Sequence, residues 1–456
     1  MADTLAAPHL DLASWLAERR RSHVFEVERI SLPDLAGWSF DASTGNLVHD
    51  SGRFFAVEGV HVSSDYGPVP EWWQPIIRQP EFGILGILVK RVRGVIHCLL
   101  QAKPEPGNVN VLQLSPTVQA TRSNYTRVHR GDGTRYLDYF VPPYRGRVLI
   151  DVLQSEQGVW FYRKRNRNMI VEVHEDVEAQ EDFLWLPLEE IWHLLKVDNL
   201  VNMDARSVLS CLPLALPDWL GENEGACDDV RRTVRDSFAG AGPPRLSTER
   251  LLNWFTEVKA GYRTSVRRVP LAKVKNWHRT EYEISHEDGK FFSVLAVSVR
   301  ASGREVSHWT QPLIAPRGEG VAAFVAKRID GVLHVLAQAR VEPGFVDVME
   351  LAPTVLCNPD NYHDLPRSDW PPFLAYVLAA GPERIRYSAL LSEEGGRFYC
   401  AQTRYLLVEA GADEEIDVRP NYQWMTLRQL TDLLRHSHYL NVQARSLLAC
   451  VSSVLV

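Results

Sequence analysis

Three arginines, Arg163, Arg165 and Arg167, alternate within the run FYRKRNRNM that begins at Phe161. In an extended segment they would project from one face, a spacing suited to phosphate oxygens through bidentate guanidinium contacts. Two further cations, Arg122 and Arg127, flank Asn124 and Tyr125 in ATRSNYTRVHRG from Ala120. His97 and Gln101 fall on one face of the strand pattern VIHCLLQA, because side chains alternate along a strand. That pair either satisfies itself or a buried backbone group, or places an imidazole able to exchange a proton near neutral pH at a pocket wall. Glu105 opens the turn Glu105-Pro106-Gly107, in which Pro fixes φ and Gly is expected to supply a positive φ. Turn chemistry does not demand the carboxylate, which is therefore either solvated or aimed into a pocket. Trp72 precedes Gln74-Pro75; its indole can stack on a flat base, worth about 1–3 kcal/mol, or fill a core.

The elements that must position these groups occur twice. Phe54–Tyr162 lies on Phe291–Tyr399 without a gap, at an offset of 237 residues that places His97 on His334. VIHCLLQAKPEPG answers VLHVLAQARVEPG, LSPTV answers LAPTV, and further on the register slips by two so that Asn202 and Arg206 meet Asn441 and Arg445. Each copy is a domain-sized unit rather than a solenoid repeat. Residues 1–216 are expected to form one module, 217–245 a Gly- and Pro-marked linker, and 246–456 a second module. Within a copy, an opening helix (Leu10–Arg20; Leu246–Lys259) precedes a strand-rich middle. Strands are expected over Leu85–Arg91, Val95–Ala102, Val109–Leu114, Val148–Leu153, Val159–Arg163 and Met169–Val173. Helices near Pro187–Lys196 and Asn202–Leu212 close the copy, with Asn202 expected as an N-cap. The fold class implied is α+β, a mixed sheet flanked by helices, made twice.

The copies differ most where the cations are. Arg122 faces Pro359 and Arg127 faces Asp364, while Arg163, Lys164 and Arg165 face Cys400, Ala401 and Gln402. A solubility role alone would not require both runs to vanish together from one copy. An anion site is therefore expected in the first copy, and a supporting or vestigial site in the second.

Several classes of function are disfavoured. A net charge of −7 does not suit a nucleic-acid protein. No apolar run of about 18 residues is available to span a bilayer, and the first residues lack the pattern of a signal peptide, so a cytoplasmic protein is expected. The six cysteines include no CxxC and are expected as small buried hydrophobes. No GxGxxG after a strand, P-loop, G-x-S-x-G elbow or HExxH is found. No metal site is expected.

The doubled framework, with QAKPEPGNVNVLQLSPTVQATRSNYTRV, DVLQSEQGVWFYRKRNRNM and QARVEPGFVDVMELAPTV, resembles the NDP-hexose 2,3-dehydratases of deoxysugar biosynthesis from about Trp15 to Val451. The resemblance implies two modules of Nudix-hydrolase-like fold, although neither half contains the Glu-rich Nudix helix. It further implies a homodimer acting on dTDP-4-keto-6-deoxyglucose, with no cofactor. In that setting His97, Glu105 and Tyr125 are the candidates for acid and base. Gln101 and Asn124 would be oxyanion or hydroxyl partners, Trp72 a face for thymine, and Arg122, Arg127, Arg163, Arg165 and Arg167 the cations around the diphosphate. The rival expectations are a metal-dependent Nudix-like hydrolase of nucleotide-sugar diphosphates and a non-catalytic nucleotide-sugar binding protein.

Overall fold

A computed structural model describes residues 11–121, 134–216, 218–220, 228–302 and 306–456. The chain is α+β and its two halves repeat the same architecture. In the first half, Arg147–Ser155, Arg165–Glu172, Gly83–Val92, Val95–Pro104 and Phe183–Pro187 lie side by side in that order. Leu112–Ser115 and Val118–Ala120 complete a seven-stranded sheet. Only Arg165–Glu172 and Gly83–Val92 run parallel, so the sheet is mixed. The second half builds the same sheet from Ile385–Ser392, Gln402–Glu409, Gly320–Ile329, Val332–Val341 and their partners, including the one parallel pair. Apolar runs such as GILGILV and GVAAFVA fit strands covered on both faces.

The halves are not laid end to end. Each has a second, smaller antiparallel sheet, and each smaller sheet takes its edge strand from the other half. Phe25–Ile30 pairs with Phe292–Ala301 of the second half, from Phe25 opposite Ala301 to Ile30 opposite Ala296. Thr264–Val269 pairs in turn with Ala56–Ser64 of the first half. Trp38 and Trp277 pin the exchange, their indole N–H groups donating across the boundary to the Thr310 carbonyl at 3.0 Å and the Trp73 carbonyl at 2.8 Å. A single apolar core, running from Leu85, Ile170 and Val208 to Phe324, Leu407 and Leu447, draws on both large sheets and the helices behind them.

Most expected elements form within a few residues of their expected bounds. The opening helices are Leu12–Ser22 and Thr248–Gly261, and the linker carries the helix Asp229–Ala239 behind an Asp228 N-cap. Asn202 and Asn441 cap their helices by accepting from Ala205 N and Ala444 N at 2.8 and 2.9 Å. Arg206 and Arg445, one turn inside those helices, are fully buried. Rather than facing a ligand, they reach into the opposite half, Arg206 to the Ser392 carbonyl at 2.8 Å and Arg445 to the Ser155 carbonyl at 2.5 Å.

Two local expectations are corrected. Val159–Arg163 is a turn, not a strand: Trp160 N and Phe161 N both donate to the Gln157 carbonyl, and Arg163 adopts φ +54°. Gly107 and its counterpart Gly344 do not have positive φ. They are required for close approach instead, because each turn is seated against the hairpin loop of the other half. Gly107 N donates to the Gly395 carbonyl and Gly344 N to the Gly158 carbonyl, both at 2.7 Å. A Cβ on Gly107 would lie 1.7 Å from the Phe398 carbonyl oxygen, and one on Gly344 1.6 Å from that of Phe161. No side chain fits there without moving backbone.

Gly107→Ala and Gly344→Ala are therefore each expected to destabilise the fold by about 3 kcal/mol, the upper range for overpacking. Gly261→Ala, at the end of a helix with open space around it, should be neutral or stabilising by about 0.5–1 kcal/mol. Chemical denaturation of the three variants checks the contrast.

Candidate active site

The two halves place equivalent residues at two equivalent positions, where the large sheet and Glu-Pro-Gly turn of one half meet the hairpin loop of the other. In the second half this position opens as a cavity of about 580 Å³. Arg340, Glu342, Asn361, Tyr362, Gln402 and Gln443 line it from one half, and Trp72, Gln74, Gln157 and Trp160 from the other. Arg340 Nε donates to Glu342 Oε1 at 2.9 Å, and Trp72 Nε1 donates to Gln74 Oε1 at 3.0 Å. Burial raises the Glu342 carboxyl, although Arg340 beside it pulls the other way.

At the equivalent position of the first half the neutral groups are replaced by ionisable ones. Lys164 stands where the second half has Ala401, Asp204 where it has Gln443, Glu394 where it has Gln157, and Arg397 where it has Trp160. The matching registers of Asn166 opposite Gly83 and Thr403 one strand over from Gly320 fix this correspondence in space. Glu105 is buried there, with Oε1 accepting from Gln119 Nε2 at 2.8 Å and from Lys103 Nζ at 3.1 Å, while Oε2 has no partner among the described residues. Glu156 Oε1 accepts from Asn166 Nδ2 at 2.7 Å. Lys164 projects inward from the turn and donates to the Glu81 carbonyl.

Crowding four carboxyls into a buried cluster makes their ionisation mutually costly. Burial, reinforced by Glu394, Glu156 and Glu105, holds the Asp204 carboxyl well above the usual carboxylate range. Burial likewise lifts Glu394 to about 7, with Arg397 opposing and Glu156 and Glu105 adding to the shift. Glu156 is raised by burial against the pull of Arg445 and Lys164. Lys164 is pushed down to about 8 by burial, with Glu156 and Glu394 resisting. Groups that exchange protons within a unit or so of neutrality suit acid–base chemistry.

The residues singled out from the sequence are distributed unevenly around this cluster. Glu105 is part of it. His97 lies toward the opposite end of the same strand, paired with Lys90 and Pro187, with Nδ1 3.0 Å from the Val95 carbonyl. Its counterpart His334 is fully buried, and its Nε2 accepts from Arg245 N at 3.0 Å, a structural role. Gln101 pairs through its backbone with Ser115 and Phe183 midway along the strand. Trp72 lines the second-half cavity instead of the first-half cluster.

The expected single row of arginines is broken by the turn. Arg163 is exposed over the Tyr162 ring, Arg165 NH1 lies 3.5 Å from His438 Nε2, and Arg167 is held by Asp151 at 2.5 and 3.0 Å. Arg122, Asn124, Tyr125 and Arg127 lie outside the described residues. Comparing the copies only for cations lost from the second missed Asp204, Glu394 and Arg397. The same comparison scored for every charge, in either direction, would have found them.

Asp204 should therefore be a stability liability. Its folded pKa is raised above the unfolded value, so its favourable contribution exists at low pH and is lost as pH rises from the ordinary Asp range toward the folded value. Asp204→Asn is expected to melt higher than the wild type at pH 8, by about 1 kcal/mol or more, with little difference at pH 4. Thermal melts across that pH range provide the check.

Residues 9–212 and 248–451 each match the family model described as NDP-hexose 2,3-dehydratase. The chain is 55% identical over 447 residues to a protein of Saccharopolyspora spinosa named dTDP-4-dehydro-6-deoxy-alpha-D-glucopyranose 2,3-dehydratase, covering 98% of this chain and 92% of the relative. Relatives bearing the same name from Amycolatopsis orientalis and Streptomyces violaceoruber are 52% and 48% identical, over 97% of this chain in each case and 90% and 96% of the relatives.

Proposed function

The chain belongs to the NDP-hexose 2,3-dehydratase family, and from that premise we propose that it converts dTDP-4-keto-6-deoxyglucose to a 3,4-diketo-2,6-dideoxy sugar nucleotide at the first-half cluster. It is a hydro-lyase. The observation that supports this location is the concentration of ionisable-for-neutral differences, Lys164, Asp204, Glu394 and Arg397, at one of two otherwise equivalent positions.

The C4 ketone acidifies the C3 proton, so elimination needs a base at C3, stabilisation of an enolate and a proton for the departing C2 hydroxyl. Glu105, with one carboxylate oxygen anchored by Lys103 and Gln119 and the other without a partner among the described residues, is suited to take the C3 proton. The Lys164 ammonium is suited to hold the enolate charge, because a buried cation acts through a low local dielectric. Elimination leaves an enol that tautomerises to the diketone. Nothing in this sequence of steps calls for a redox cofactor or a metal.

Asn124, Tyr125, Arg122 and Arg127 remain candidates for the sugar and diphosphate, supported by the second-half counterparts Asn361 and Tyr362, which line the cavity. Arg165 stays a candidate for the diphosphate, and Trp72 for stacking a flat base within the second-half cavity. Nudix-like ancestry of each half, module bounds at 1–216 and 246–456, a homodimer and a cytoplasmic site of action complete the proposal. Among the described residues no helix is long and apolar enough to cross a membrane.

Incubation with dTDP-4-keto-6-deoxyglucose in EDTA, followed by mass spectrometry, should show loss of one water from the sugar. Release of a nucleotide monophosphate that stops under EDTA would favour the hydrolase instead, and an unchanged sugar the binding protein. Lys164→Met should lower kcat by about 100-fold or more.

A further inference from the structure

In the second half, the hairpin between Ile385–Ser392 and Gln402–Glu409 is closed by a loop containing Glu393-Glu394-Gly395-Gly396-Arg397. This loop is seated on the first half's Glu105 turn: Gly107 N donates to the Gly395 carbonyl and Cys400 N to the Gly107 carbonyl, each at 2.7 Å. The fit leaves no room for a side chain at Gly395. A Cβ on Gly395 would lie 2.2 Å from Asn108 Oδ1 and 3.0 Å from Glu105 Cβ. One on Gly396 would lie 3.3 Å from Glu394 Oε1 and 4.0 Å from Glu105 Oε1, so both carboxylates border the same small space.

Arg397 then returns to the first half, with Nε donating to Gln79 Oε1 at 3.2 Å and the guanidinium 4.4 Å above the Phe55 ring. Three oxygens within this group, Glu105 Oε2, Glu156 Oε2 and Asp204 Oδ1, have no partner among the described residues although their residues are only 4%, 3% and 3% exposed. Buried oxygens of that kind are normally satisfied, which marks the space as one that receives a polar ligand.

We propose that the second half supplies the acid for the first half's reaction: Glu394 protonates the departing C2 hydroxyl, and Arg397 with Gln79 positions the loop that carries it. The proposal rests on the dehydratase reading given above. The C3–H bond breaks with its proton going to the base, and the electron pair forms the enolate. As the C4 ketone reforms, a C2–C3 double bond forms and the C2–O bond breaks. The leaving oxygen takes the Glu394 proton and departs as water; as the enol tautomerises, its C3 hydroxyl proton passes to the Glu394 carboxylate and the proton held by the base passes to C2, which restores both groups.

The groups facing Glu394 are Arg397, Glu156, Glu105, Lys164 and Asp204. Together with burial they leave its carboxyl able to hold a proton at neutral pH. The equivalent loop of the first half carries Gln157 at this position, which donates to Glu393 Oε2 at 2.8 Å and cannot serve as an acid.

The test uses the full chain in D₂O with dTDP-4-keto-6-deoxyglucose, following deuterium entry at C3 of unreacted substrate separately from loss of water. Glu394→Gln should exchange C3 at near the wild-type rate while water loss falls by about 100-fold or more. Water loss within a few-fold of wild type would overturn the assignment. So would joint loss of exchange and elimination in a variant that melts like the wild type. Should Glu394→Gln not fold, Glu394→Asp, which keeps the carboxyl but withdraws it by one methylene, is read the same way, with retained exchange and reduced elimination expected. A wild-type enzyme that neither exchanges nor eliminates would overturn the reaction reading itself, whereas failure in the variants alone overturns only the role of Glu394.

Discussion

The backbone contact between each Glu-Pro-Gly turn and the opposite hairpin loop constrains everything else in this molecule. Two hydrogen bonds of 2.7 Å, Gly107 to Gly395 and Gly344 to Gly158, hold main chain against main chain at a distance only glycine tolerates. Each turn carries a buried glutamate, so the same contact that joins the halves also delivers Glu105 and Glu342 to their positions. The exchanged edge strands and the crossing guanidinium groups of Arg206 and Arg445 repeat the pattern. Neither half completes its own smaller sheet.

Equivalent scaffolding permits unequal contents. Both positions hold buried carboxyls, but where the second has Ala401, Gln443, Gln157 and Trp160 the first adds Lys164, Asp204, Glu394 and Arg397. Buried like charges weaken a fold, and proteins tolerate such local cost where chemistry needs displaced pKa values.

Much of the framework was legible from residue pattern. Helices announced themselves by apolar periodicity and, at Asn202, by a cap, and the strands of the large sheets by short apolar runs rich in β-branched residues. The Val159–Arg163 turn was misjudged because aromatic residues favour strands as well as packed turns, and only the docking of Gly158 against Phe345 and Glu342 distinguishes them. Strand exchange left no local trace: Phe25–Ile30 reads the same whichever half it pairs with. The site was legible in part. Glu105 stood out because a turn does not need a carboxylate, and the cation run containing Lys164 because its copy lacks it. Glu394 and Arg397 stayed hidden because they lie in the half from which function had been discounted, and their reach across the boundary is set by the fold rather than by neighbouring sequence.

The exchanged edge strands carry a consequence for descent. Two separate copies of a single-module chain, swapping the same strand, would form a two-fold homodimer in which every substitution appears at both sites at once. Such a pair could never remove Lys164 or Asp204 from one site while keeping it in the other. Joining the copies in one polypeptide lifts that symmetry. The stretch between the copies is thus more than a spacer, since covalent continuity is what lets the two equivalent positions differ, with Lys164 against Ala401 and Asp204 against Gln443.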